Sequence, residues 1–347
     1  MSSSRPPLAL TMGEPAGIGG EITLKAWLAE RRSGQPFFVI DDPDRLEALA
    51  RHLALPVPIS VIRQPAEANS AFARALPVLL QPLPRQVEPG KPNPSNAQAV
   101  LESIRRAVAV TSSGDAAAVV TNPIHKKSLA EAGFGHPGHT EFLADLTGTS
   151  EPVMMLACPG LRVVPLTVHA PLKQAIGQLN TEMIVAKGRI TAAALRRDFA
   201  VPVPRLAIAG LNPHAGEDGM LGREEADIII PAVERLRGDG LVVSGPAPAD
   251  SLFHAGVRDT YDAVLCMYHD QALIPLKTID FDHGVDITLG LPLVRTSPDH
   301  GTAFDIAGQG TARETSLLAA LRLARLMAAN REAAGRQRRG ERRALAP

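Results

Sequence analysis

The sequence predicts an α/β protein of two domains. Short apolar runs of strand length alternate with longer stretches of helical spacing, the pattern of parallel sheets covered by helices. The chain has 347 residues, too many for one simple core. Polar and ionisable residues gather just after several of the apolar runs, where open α/β sheets bind their ligands.

In chain order, Leu8 to Met12 reads as a strand, Gly13 to Gly20 as a turn-rich loop and Glu21 to Glu30 as a helix. Phe37 to Ile40 is a second strand. Asp44 to Ala54 is helical by the spacing of Leu46, Leu49 and Leu53. Pro56 to Ile62 and Val78 to Leu80 read as strands, and residues 82–94, with five prolines, as an irregular connection. Asn96 is placed to cap a helix running to Thr111. Ala116 to Val120 is a buried strand ending on Thr121-Asn122-Pro123, followed by a helix from His125 to Ala132. Met154 to Ala157 and Arg162 to Val168 are strands, the second ending at His169. Lys173 to Asp198 is mostly helical, Leu206 to Ala209 a strand, and Ala226 to Arg237 a helix. Ala263 to Met267 is a core strand whose following residues, to Gly310, read as loops rich in ionisable groups. A last helix spans about Arg313 to Ala329, and the charged tail REAAGRQRRGERRALAP reads as a frayed end.

The 36 basic and 36 acidic residues balance, and aromatics make up 3%. Neither a nucleic-acid nor a membrane surface is expected as main partner. The N-terminus has no signal-peptide pattern and no apolar run is long enough to span a bilayer, so a cytoplasmic location is expected. Cys158 and Cys266 lie in apolar contexts and are expected as buried free thiols.

Of ten histidines, nine lie between His125 and His300. His169, His214 and His269 each stand just past the carboxyl end of an expected strand. Three imidazoles brought together from strand ends could hold a divalent metal with positions left open for substrate. Taken singly, each is better accounted for by a hydrogen bond to a neighbouring loop; the three together, in equivalent places, bring the metal reading level with it. Lys277 and Arg295, in LIPLK and LPLVRTS, are candidates for binding a carboxylate or phosphate. GFGHPG at residues 133–138 matches the dinucleotide fingerprint only in letters, because it follows a helix and contains Pro137. The loop at 13–20 lacks the Gly-Lys-Ser/Thr ending of a phosphate loop.

The motifs MGEPAGIG, TNPIHK, GHTEF, LNPHAGE, GPAPAD, MYHDQ, ITLGLP and RTSPDHGTAFDIAG occur in that order between Met12 and Gly308. On these the chain resembles the 4-hydroxythreonine-4-phosphate dehydrogenases of pyridoxal phosphate biosynthesis. The resemblance implies a two-domain α/β/α fold like the isocitrate and isopropylmalate dehydrogenases, with a cleft between domains. The first domain would comprise residues 1–122 plus about 290–347, and the second, about 123–289, would carry a homodimer interface. It implies a divalent ion (zinc, magnesium, manganese or cobalt) on His169, His214 and His269, the last reaching from the partner subunit. His139, Thr140, Asp250, Lys277, Asp286 and Arg295 would bind substrate, with Lys277 and Asp270 catalytic. His300, Gly301, Thr302 and Asp305 would line the site of NAD or NADP. The implied reaction oxidises 4-phosphohydroxy-L-threonine to a β-keto acid that decarboxylates to 3-amino-2-oxopropyl phosphate. Asp286 replaces the asparagine usual before ITLGLP. That departure keeps D-threonate or D-erythronate 4-phosphate as an alternative substrate. Two other classes stay in view: a metal-dependent hydrolase with Glu217 as general base, and a catalytically silent metabolite-binding protein.

Overall fold

Apolar strand runs and amphipathic helices assemble as the alternation requires. The computed structural model describes the backbone of residues 5–344 and side chains to residue 337. Its contacts divide the chain into two compact units. One comprises the residues up to Pro152 with Leu291–Ala328, the other Val153–Gly290 with the chain from Ala329. Residues 123–152, assigned from sequence to the second domain, group with the first unit, and the chain from Ala329, assigned to the first, groups with the second.

In the first unit β1 (Leu8–Thr11), β2 (Phe37–Asp41), β3 (Ile59–Ile62), β4 (Leu76–Leu80), β5 (Val119–Val120) and β12 (Arg295–Pro298) lie in the order β3-β4-β2-β1-β5-β12. All neighbours in that set are parallel, with Ala9 opposite Val119 and Arg295 also opposite Val119. Parallel strands buried on both faces need continuous apolar runs, and Leu8–Thr11 and Phe37–Asp41 are buried throughout. Ala9, Phe38 and Ile40 pack with Val100, Ile104 and Val108 of the helix Ala97–Ser112. The helix Pro43–His52 starts where sequence chemistry dictates: Asp42 accepts the Arg45 N–H at 3.1 Å, and a proline occupies the first turn.

In the second unit β6 (Val153–Cys158), β7 (Leu161–Pro165), β8 (Arg205–Ala209), β9 (Val242–Ala247), β10 (Ala263–Cys266) and β11 (Val285–Leu289) lie in the order β11-β6-β7-β10-β8-β9. β7, β10, β8 and β9 are parallel, while β6 runs antiparallel to both β7 and β11. The carboxyl ends of β7, β8 and β10 therefore share one edge. Both cysteines are free and buried, and burial pushes the Cys158 thiol up to about 11 and the Cys266 thiol higher still.

Several expectations are corrected. Residues after β10 are not loop: His269–Ile279 is a helix despite Pro275 inside it, so Lys277 is helical. Asn96 does not cap its helix with its side chain; its Oδ1 accepts the Arg85 N–H at 3.1 Å instead, in a turn shaped by Pro94. The stretch 173–198 is broken at extended Asn180, whose side chain caps Thr181–Asp198 through the Met183 N–H at 2.8 Å. The last helix does not fray at 329 but runs Thr315–Ala344, because the tail is rich in Ala, Arg and Glu, all strong helix formers. Its Arg331 grips Asp198 with Nε and Nη2, both at 2.8 Å. Asp198 takes a second fork from Arg197. Burial alone would raise that carboxyl, but the hydrogen bonds from Arg197 and Arg331 outweigh it and hold it below the usual range. No helix among the described residues is long and apolar enough to cross a membrane.

Candidate functional site

The second unit carries the histidine candidates on one sheet edge. His169 follows β7, His214 follows β8, and His269 opens the helix after β10. His169 and His214 have left-handed backbone, at φ 51° and 52°. Left-handed L-residues cost roughly 1–2 kcal/mol each and cluster at functional sites. His169 and His269 approach within 6.3 Å, ring centre to ring centre. No group of three His, Cys, Asp or Glu side chains among the described residues of one chain is arranged to hold a metal.

A buried hydrogen-bond chain ties the three loops together. Thr167 Oγ1, two residues before His169, donates to the Met267 carbonyl at 2.9 Å. The Met267 N–H, two residues before His269, donates to Gln271 Oε1 at 2.7 Å. Gln271 Nε2 donates in turn to the carbonyl of Gly210, where the His214 loop begins, at 2.7 Å.

The imidazoles have the donor chemistry a metal asks for. His214 Nδ1 meets Glu217 Oε2 at 2.8 Å, and His269 Nδ1 meets Asp270 Oδ1 at 2.7 Å. A carboxylate on Nδ1 fixes the ring and its tautomer and leaves Nε2 as the outward lone pair. Glu217 and Asp270 thus stand as ring-orienting partners. The hydrolase reading gave Glu217 a different part, that of a base acting on water.

Asp250 and Asp270 line one cavity of about 450 Å³ with Tyr268, Gln271, Ile274 and Thr278. Lys277 lies eight residues along the helix from His269, about 12 Å at 1.5 Å per residue. Its Nζ sits 5.6 Å from the Phe281 ring centre. Asp286 is on β11, half-buried and opposite Leu156.

The first unit carries the others. Arg295 opens β12 at 2% exposure and donates to Thr121 Oγ1 through Nε at 3.1 Å and Nη2 at 2.8 Å. His139 opens the helix His139–Thr147, with Thr140 next in its first turn. The His139 Nε2 is enclosed and has no hydrogen-bond partner among the described residues. Burial first, then the charges of Arg295 and Lys126, hold its pKa well below the usual histidine range. A neutral imidazole beside an enclosed guanidinium leaves net positive charge, which suits an anionic substrate group.

His300, Gly301, Thr302 and Asp305 follow β12, and the Thr302 carbonyl accepts the Ile18 N–H at 3.0 Å. This locks the segment onto the glycine-rich loop after β1. Gly13 has φ 67°, and a Cβ there would lie 2.7 Å from the Asn122 Cβ, so only glycine lets that loop sit against Thr121-Asn122-Pro123. Beside the loop is a cavity of about 420 Å³ whose lining includes Gly17, Arg45, Leu49, His52, Val87 and Gly308. Sequence reasoning missed Arg45, Leu49 and His52, which read only as a helix face. It also missed Thr167, Gln271 and Glu225, whose partners are remote in sequence.

The family model for the pyridoxal phosphate biosynthetic protein PdxA matches residues 33–324. The chain is 54% identical over 331 residues to the 4-hydroxythreonine-4-phosphate dehydrogenase of Caulobacter vibrioides, which covers 94% of this chain and 98% of that one. With the Bradyrhizobium diazoefficiens protein of the same name it is 53% identical over 335 residues, 93% of this chain and 97% of that one. It superposes on the crystal structure of the Klebsiella pneumoniae 4-hydroxythreonine-4-phosphate dehydrogenase with a TM-score of 0.84 at 40% identity, covering 93% of this chain and 99% of that one.

Proposed function

The chain belongs to the family of the pyridoxal phosphate biosynthetic protein PdxA, and from that membership we propose that it is a 4-hydroxythreonine-4-phosphate dehydrogenase. It oxidises the carbinol of 4-phosphohydroxy-L-threonine with NAD or NADP, and the β-keto acid formed loses carbon dioxide to give 3-amino-2-oxopropyl phosphate. The observation that carries this reading is the bonded set of strand-end loops bearing His169, His214 and His269, in a chain more than half identical to dehydrogenases of that name.

His169, His214 and His269 are the ligands proposed for a divalent ion, zinc, magnesium, manganese or cobalt. When bound, the ion supplies Lewis-acid polarisation of the substrate hydroxyl. Asp270 and Glu217 keep Nδ1 of their histidines protonated and so aim Nε2 outward. In the first unit, Arg295 and the neutral His139 bind an anionic end of the substrate, with Thr140 beside them. In the second unit, Lys277, Asp250 and Asp286 are the proposed substrate contacts, with Lys277 and Asp270 serving the proton transfers. His300, Gly301, Thr302 and Asp305 are the proposed cofactor contacts. We propose a homodimer in which His269 completes the partner's site. The exposed apolar side chains of the histidine-bearing unit support an interface there, Ile274 at 64% and Phe281 at 70% exposure. A cytoplasmic location fits a biosynthetic role.

The deciding experiment follows cofactor reduction spectrophotometrically with 4-phosphohydroxythreonine, D-threonate 4-phosphate and D-erythronate 4-phosphate. Turnover of the first at least tenfold above the others is expected. Preference for either sugar-acid phosphate would replace the proposed substrate. Chelator should abolish the activity and a divalent cation restore it.

A further inference from the structure

We propose that Glu225 is the positioning residue for His214: a buried carboxylate that holds the strand-end loop in the left-handed turn from which the imidazole is presented. The assignment rests on the reading of His214 as a metal ligand.

Residues His214 to Asp218 all have positive φ, at 52°, 54°, 86°, 44° and 53°, and only Gly216 among them is a glycine. A run of this kind does not persist on its own preference; its surroundings must hold it. The Glu225 carboxylate anchors the backbone that leads into it. Its Oε1 accepts the Leu211 and Asn212 N–H groups, each at 2.8 Å, and its Oε2 accepts Asn212 Nδ2 at 2.9 Å. Glu225 is 4% exposed and has no ion pair with a described residue. Among the described residues, the hydrogen bonds to its carboxylate all come from the loop. A buried carboxylate that takes its hydrogen bonds from the loop ties the loop's conformation to itself, since moving either leaves the other unsatisfied.

The loop is moulded to this group. A Cβ on Gly216 would lie 2.7 Å from Oε2, and one on Gly210 would lie 3.3 Å from Oε1. At Gly216 a side chain would have to displace the carboxylate, and at Gly210 it would crowd it. Glu225 also begins the π-helical segment Glu225–Ile229, and such widened turns often mark functional positions. Glu224, just before it, accepts Asn212 Nδ2 at 2.7 Å, so two consecutive carboxylates share one amide of the loop. Glu225 bonds the backbone ahead of His214, and Glu217 bonds the ring. The two carboxylates thus divide the work: one sets where the histidine stands, the other how its ring turns.

The test is Co²⁺ titration of the full-length protein, read by visible absorption and calorimetry. It compares wild type, Glu225→Gln, His214→Ala and the double variant. Glu225→Gln should weaken Co²⁺ binding by about 10- to 100-fold, the usual effect of removing an outer partner of a ligand. In the His214→Ala background the same change should shift affinity less than about twofold, because its route of action is gone. A Glu225→Gln affinity within twofold of wild type overturns the assignment. An equal loss in both backgrounds also overturns it, since the effect is then general to the fold. If Glu225→Gln does not fold by circular dichroism, Asn212→Ala takes its place. It removes one loop donor and should weaken binding several-fold, and unchanged binding overturns the assignment. Wild type that takes up no Co²⁺, or a His214→Ala variant that binds it as well as wild type, overturns the metal reading and this assignment together, whereas uptake that His214→Ala weakens and Glu225→Gln leaves unchanged overturns this assignment alone.

Discussion

Gln271 clasps Gly210: its Nε2 donates to the Gly210 carbonyl at 2.7 Å while its Oε1 receives the Met267 N–H at 2.7 Å. One buried amide therefore spans the loops that begin at β8 and β10. Gln271→Leu keeps the bulk but leaves a buried carbonyl and a buried N–H unsatisfied. Each costs about 1–3 kcal/mol, so a total loss of about 2–6 kcal/mol is expected in urea unfolding. A loss under about 0.5 kcal/mol would mean that water replaces the amide and the two loops are not coupled through it.

The assembly proposal makes a sharp forecast about hybrids. If His269 serves the partner's site, His169→Ala and His269→Ala proteins, each inactive alone, should recover activity when mixed and re-dimerised. One site of the hybrid then has all its ligands and the other lacks two. No recovery in verified hybrids would assign all three histidines to one subunit, and the 6.3 Å approach of His169 to His269 would then be the ligand pair itself.

His139 should make the fold sensitive to mild acid. A free histidine titrates near 6.5, and the folded one well below that because of burial and the Arg295 and Lys126 charges. Between the folded value and about 6.5 the unfolded chain binds a proton that the folded chain does not. Stability from this group is therefore intact above about pH 6.5 and falls as pH drops below it. His139→Gln should flatten the decline in urea stability between pH 7 and pH 5. The same decline in both proteins would show that the imidazole is protonated in the fold.

Asp286 tests the substrate. Two like charges about 4 Å apart cost on the order of 4 kcal/mol at an effective dielectric near 20, so a carboxylate facing a phosphate would need relief. His283 does not supply it through its Nδ1, which bonds Asp280 Oδ2 at 2.9 Å. Asp286→Asn is expected to change kcat/KM for 4-phosphohydroxythreonine by less than about tenfold, about 1.4 kcal/mol. A hundredfold rise would mean that the native carboxylate excludes that compound and that another substrate is used.

The strands β1 to β5 of the first unit were legible because a parallel strand must be apolar on both faces, and runs such as FFVI have few other uses. β9, β11 and β12 were not, because VVSGPA, VDITL and RTSP mix Gly, Pro and polar groups that depend on partners far away in sequence. His269–Ile279 was read as loop for a related reason: its first turn is polar and Pro275 interrupts it, yet the helix follows directly on the strand end and continues through the proline. The three histidines could be picked out because a strand-end position is visible in one dimension. Glu225 and Gln271 could not, because a hydrogen bond to a loop fourteen or sixty-one residues away leaves no periodic trace.

The double fork on Asp198 has a practical corollary for anyone shortening this chain. Asn330 Nδ2 donates to the Asp198 carbonyl at 2.9 Å, and Arg331 supplies one of the two guanidinium groups around its carboxylate. A stop codon placed after Ala329, where sequence spacing alone would end the helix, deletes both. The carboxylate would keep Arg197 but lose half of its compensating charge while staying inside. The safe place for a truncation or a cleavable purification handle is thus beyond Arg331, and a library of shortened chains should show solubility falling abruptly at that residue instead of fading along the tail.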